Sequence, residues 1–174
     1  MRRPVLSVVS AAAILAVWLA MGASAAAPIQ PESSGYYLGT PKSPQVGELL
    51  FWPKPVGQGK IGLTFYAQYF PGCEYSDGQK QVPQQFNWEE KKPITVRGGK
   101  FEVRGEKTYT GLGGLEGPLR IIISGEFVSP TKIVATETVK ASLASLVGGP
   151  TLNCLGSMTV VAKHYQFKKG EKAP

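Results

Sequence analysis

The sequence is short of the residues from which most catalytic and metal sites are built. Its 174 residues include one histidine, His164, two cysteines, Cys73 and Cys154, and a single aspartate, Asp77, among 12 acidic side chains. Two distant cysteines and one histidine do not make a zinc pattern. A Ser-His-Asp triad would have to use His164 with Asp77 or a glutamate, and there is no Gly-x-Ser-x-Gly elbow. No cofactor and no metal are expected. Charged residues are only 18% of the chain, and the positive ones are scattered rather than gathered in a run, which argues against nucleic acid as a partner. Sustained helical periodicity is missing too. With 21 Gly and 14 Pro, the chain is punctuated too often for an all-helical fold, and its composition excludes a coiled coil, a collagen-like chain or a wholly disordered protein.

What is present begins with an address. Arg2 and Arg3 precede an uncharged stretch from Val5 to Leu19, and Ala23-Ser24-Ala25 is a small-x-small site. This is the pattern of a cleaved secretory signal peptide over residues 1–25, with Ala26 the runner-up cleavage position. An uncleaved anchor is the rival reading, but the apolar run is at the lower limit for crossing a bilayer. Export, to the cell envelope or outside the cell, places Cys73 and Cys154 in an oxidising setting. An even count there favours one bridge, two buried thiols being the alternative. Such a bridge would close a long loop and stabilise the fold by about 4–5 kcal/mol on the chain-entropy argument.

Residues 26–47 hold Pro28, Pro31, Pro41 and Pro44 and show no period, so a mobile Pro-rich arm is expected. A β-domain is expected over 48–167, with a loose tail over 168–174. Its clearest strand has Ile61, Leu63, Phe65, Ala67 and Tyr69 alternating with Gly62, Thr64, Tyr66, Gln68 and Phe70. Residues 74–92 read as polar and irregular. Ile94–Val96 and Phe101–Val103 read as a hairpin, or one kinked strand, around Gly98-Gly99. Leu119–Phe127, Lys132–Leu143 and Ser157–Phe167 follow as strands, with room for one helical turn at Leu143–Val147. On the second of these, Glu137 falls among the apolar positions and needs a partner or an exposed edge. The sum is a single all-β domain: an antiparallel β-sandwich, Greek-key or jelly-roll-like, of about six to eight strands.

From about Ile61 to Lys163 the chain resembles a class of small secreted bacterial all-β domains with no assigned function. The marks are a strand leading into Cys73, Gly99-Lys100-Phe101, Gly125-Glu126-Phe127-Val128-Ser129, Ala135-Thr136-Glu137-Thr138, and Cys154 before a final strand. The class pattern has Gly where Glu137 stands and Trp where Val160 stands. The resemblance implies a β-sandwich with a Cys73–Cys154 bridge, and it brings no catalytic residues.

The remaining chemistry is thin. Thr110 to Gly117 is Gly-rich, but it lacks the dinucleotide spacing, a following Gly-Lys-Ser/Thr and a following helix, so it reads as a hairpin loop. Adjacent Glu89 and Glu90 would point to opposite faces of a strand and cannot act as a facing carboxylate pair. Aromatic residues carry more signal. Trp52, Tyr66, Phe70, Tyr75 and Trp88 cluster near the early strands, and Tyr66 and Phe70 lie opposite the Ile61, Leu63 and Phe65 face. If their face is open to solvent they form a platform for a sugar or an apolar partner; if it is covered they are core. The expected function is therefore non-catalytic binding, with envelope glycan, another protein or a second copy of the chain as partner. The alternative is a secreted hydrolase with an active site near His164.

Overall fold

Alternation of apolar and polar side chains builds nearly every element of this molecule. The computed structural model describes residues 29–42, 46–58, 60–81, 84–111 and 114–168, and among these there is no α-helix. The expected signal peptide and the last residues of the tail lie outside them. Ten strands run in chain order among the described residues: β1 (Tyr36–Gly39), β2 (Gly47–Pro55), β3 (Ile61–Tyr69), β4 (Gly72–Tyr75), β5 (Lys80–Gln81), β6 (Phe86–Thr95), β7 (Lys100–Thr110), β8 (Leu115–Ser129), β9 (Lys132–Ser145) and β10 (Leu152–Tyr165). In β9, Ile133, Ala135, Glu137, Val139, Ala141 and Leu143 are buried, while the residues between them face outward. A period of two separates the two faces of the sheet in this way.

The all-β, antiparallel character agrees with the sequence. The layering does not: the strands form one sheet rather than two. They are hydrogen-bonded in the order β6-β3-β2-β1-β10-β9-β8-β7, with β4 also on β10 and β5 on β4. This sheet curls into a nearly closed barrel instead of a two-layer sandwich. The physical reason lies in β10. One edge pairs with β9 from Leu152 to Lys163. The other edge is shared by β4 at its start and β1 at its end. The early and late strands are therefore stitched into one ladder with no break at which two layers would separate.

Three further differences have local causes. The Pro-dense stretch expected to be an arm contains β1, which fills the gap between β2 and β10. Tyr37 fixes it: its buried hydroxyl donates to the Pro130 carbonyl at 2.6 Å and accepts from the Glu32 N–H at 2.9 Å. Residues 74–92 hold the end of β4, β5 and most of β6, because ladder pairing with β10 and β3 overrides a polar sequence. Residues Leu143–Ser145 continue β9 and pair with Leu152 and Leu115 rather than coiling.

The barrel closes between β6 and β7 without a ladder. They are consecutive strands joined by a turn in which Gly98 and Gly99 take φ of 56° and 79°, and they share only the Arg97–Lys100 bridge. Side chains seal the remainder. The Trp88 ring lies against Gly105 in space that a Cβ would occupy. Lys107 Nζ donates to the Asn87 carbonyl at 2.9 Å and stands 4.9 Å from the Trp88 ring centre. Tyr109 donates to the Gln85 carbonyl at 3.2 Å, and its ring is 4.9 Å from that of Phe86. The interior is aromatic: Phe51 lies 5.3 Å from Phe101, and Tyr37 lies edge-on to Phe127 at 5.5 Å. Burying each such ring is worth about 1.5–3 kcal/mol.

Cys73 and Cys154 are directly opposite each other on β4 and β10 and are joined by a disulfide. The bond ties the chain just after β3 to the start of the last strand.

Candidate functional site

The predicted aromatic cluster divides between the two sides of the barrel wall. Trp88 pairs with buried Ala67 on β3 and so points inward, to the β6/β7 seam. Tyr75 pairs with buried Leu152 and also packs against the core. Phe70 follows β3, half-buried, its N–H bonded to the Val46 carbonyl at 3.2 Å. Trp52 and Tyr66 point outward, because their neighbours Phe51, Phe65 and Ala67 fill the interior.

Around Trp52 and Tyr66 the ladder assembles an outer face that the sequence did not reveal. Tyr66 stands opposite Leu50, Leu50 opposite Leu38, and Leu38 opposite Lys163. Two residues further along β2 and β1 stand Trp52 and Tyr36, and Tyr36 faces Tyr165 on β10. The Tyr36 and Tyr165 rings are stacked on each other at 5.6 Å, and Phe167 covers Tyr36 from 5.3 Å. Leu50 is almost covered at 8% exposure, whereas Tyr165 is 44% and Val161 49% exposed. Four strands thus present a contiguous aromatic and aliphatic surface. Tyr36 and Leu38 were missed because β1 is four residues long and sits among prolines. The only signal was the alternation of Tyr36 and Leu38 with Tyr37 and Gly39.

Charge borders this face: Glu89 on β6 stands opposite Tyr66, and Trp52 lines a shallow cavity with Lys54, Glu89 and Lys91. Burial and, secondarily, nearby Glu48 hold the Tyr66 hydroxyl above its ordinary pKa. Glu48 on one side and Lys163 on the other have no ion-pair partner among the described residues, where the salt bridges join Lys91 to Glu89, Lys100 to Glu126, Arg104 to Glu102 and Arg120 to Glu106.

His164 lies at the end of the barrel where the N-terminal segment crosses. Its Nε2 is 2.6 Å from the Ser34 carbonyl, and its ring is 5.0 Å from Tyr37. A backbone carbonyl, rather than a carboxylate or a nucleophilic hydroxyl, occupies that nitrogen. No three His, Cys, Asp or Glu side chains among the described residues are placed to hold a metal ion.

Glu137 is the chemical anomaly of the molecule. It is 0% exposed, between Ile123 on β8 and Met158 on β10, and neither carboxyl oxygen has a hydrogen-bond partner. Burial pushes its pKa up to about 8. The titratable neighbour is Tyr69 from β3, itself raised by burial and then by Glu137. An added Cβ at Gly156 would lie 2.7 Å from the Tyr69 hydroxyl, so the glycine makes room for that ring.

Comparison with known proteins gives no matching family model, no matching curated protein and no matching solved structure.

Proposed function

We propose that this chain is an exported, disulfide-linked β-barrel module that binds through the outer face of β1, β2, β3 and β10 and does not catalyse. The observation carrying this reading is the run of Trp52, Tyr66, Leu38, Tyr36 and Tyr165 across four adjacent strands on the outside of the barrel wall. Large aromatic side chains offer contact area at little conformational cost and are enriched at binding interfaces. Part of the outside is different. On β9 and β10, Thr136 bonds Thr159 at 2.9 Å and Thr138 bonds Ser157 at 3.1 Å, which is a surface suited to water. The Cys73–Cys154 bond is compatible with an oxidising compartment, and the N-terminal leader pattern supports export to the envelope or beyond it. A hydrolase built around His164 has less support, since the imidazole is engaged by the Ser34 carbonyl.

The test is co-sedimentation of the purified protein with envelope sacculi and insoluble polysaccharides at low and high salt. Retention that survives salt and is lost in Trp52→Ala and Tyr66→Ala would place a glycan on this face. Retention abolished by salt would be diffuse attraction of a cationic protein and would count against a glycan site. Trp88→Ala is the control for a ring that packs inside.

A further inference from the structure

We propose that the partner of this outer face is a second copy of the same chain, docked about a two-fold axis that runs parallel to the strands between β1 and β2. The proposal rests on the reading that this face is the contact surface, and it names what covers it.

The rings argue against a sugar as the main occupant. Sugar stacking needs an aromatic ring with a free face. Tyr36 and Tyr165 are stacked on each other, and Phe167 lies against Tyr36, so these rings already cover one another. The side chains between them are aliphatic: Leu38, Leu50 and Val161. Aliphatic side chains beside rings that cover one another form a surface for another packed side-chain layer.

The charges select the copy and the axis. Glu48, with Tyr66 beside it, lies on the β2–β3 side of the face, and Lys163 lies on the β10 side. From β3 to β10 is three strand steps, about 14 Å. A two-fold axis along the strands exchanges the two sides. Leu38 of each copy then lies over β2 of the other, and Trp52 meets Tyr36. Lys163 comes over the Tyr66 ring, beside Glu48. Two unpaired charges of opposite sign become neighbours twice over, and the cation gains an aromatic face. An axis perpendicular to the strands would instead leave Lys163 facing Lys163. Isologous contacts of this kind close at two subunits.

The patch also sets the strength. Four strands and about four rows cover roughly 19 by 27 Å. That is smaller than the roughly 800 Å² per partner of a standard interface, so a weak, reversible dimer is expected.

Sedimentation equilibrium of the purified protein, from about 5 to 500 µM, tests this. A monomer–dimer equilibrium is expected. Lys163→Glu and Glu48→Lys should each weaken it about tenfold, and the double reversal should restore it to within about threefold. Leu38→Asp should abolish it, with circular dichroism and melting temperature checking that each variant is folded. Because Lys163 is exposed, its reversal keeps the test open if Leu38→Asp does not fold. A monomer at every concentration, or a dimer indifferent to these changes, overturns the proposal. Monomer with Trp52-dependent retention on sacculi would remove the second copy and keep the contact face. Monomer with no retention would remove both.

Discussion

Replacing Glu137 with Gln is the perturbation whose consequence follows most directly from the structure. The carboxyl is fully buried, has no hydrogen-bond partner, and has its pKa raised from 4.5 to about 8 by desolvation. The sign is opposite to that of an ion-paired carboxylate. Here the folded state holds the proton more tightly than the unfolded chain does. Between pH 4.5 and 8 the unfolded chain ionises this group while the folded protein keeps it neutral. Stability from this residue is therefore fully present below pH 4.5 and falls as pH rises. The slope is about 1.4 kcal/mol per pH unit, or about 3 kcal/mol lost by pH 7, and the loss levels off above pH 8. In Glu137→Gln that pH dependence disappears. The assay is urea unfolding of both proteins at pH 5, 7 and 8.5. Tyr69 stays protonated across this range and the other titrating groups contribute to both proteins, so the difference isolates Glu137. The variant should gain on the wild type by about 3 kcal/mol between pH 5 and pH 7. At pH 5 the two should be close, because the amide leaves its own unpartnered polar atoms buried. Stability curves that run parallel from pH 5 to 8.5 would refute the reasoning, since they would mean that the carboxyl is hydrated or partnered in solution. Glu137→Met, which removes the polar atoms altogether, should be more stable than Gln at every pH.

Other consequences follow from the wall and its seam. Replacing both Cys73 and Cys154 with Ala should lower stability by about 2–5 kcal/mol in urea unfolding, and the denatured wild-type protein should show no thiol to Ellman's reagent without reduction. Trp88→Ala should cost about 3 kcal/mol because the ring fills the β6/β7 seam, while Trp52→Ala should cost less, as thermal unfolding would show. Gly105→Val should displace Trp88, costing about 1–3 kcal/mol and speeding hydrogen exchange along β6; unchanged exchange would mean that the seam does not depend on that contact. Tyr37→Phe removes the link between the Glu32 N–H and the Pro130 carbonyl and should cost about 1–3 kcal/mol.

Much of the wall was legible because it alternates. Ile61–Tyr69 and Lys132–Leu143 read as strands from their period alone, and both are strands with the expected faces inward. The cysteine bridge followed from the expected export and an even count, and the ladder sets the two side by side. The candidate contact face was only half legible. Trp52 and Tyr66 were picked out, yet Trp88 and Tyr75, chosen with them, pack against the core. The difference is register. Trp88 points inward because it pairs with Ala67, and nothing local to Phe86–Glu90 specifies that pairing. Tyr36 and Leu38 carry too short a period to stand out from the surrounding prolines, and become strand only because β2 and β10 supply the ladder on both sides.

The sequence by itself determined the class of structure and the side of the sheet on which most residues lie, because period-two patterning and turn residues act over a few neighbours. It also flagged Glu137 as a carboxyl on an apolar face in need of a partner. Only the tertiary structure decided that the sheet curls into one nearly closed barrel, that the outer rings meet across β2, β1 and β10, and that Glu137 finds no partner. Those outcomes depend on which distant strands share an edge and in what register. Ladder hydrogen bonds are the same for every sequence, so the choice among pairings comes from the summed burial of side chains far apart in the chain, which no local pattern records.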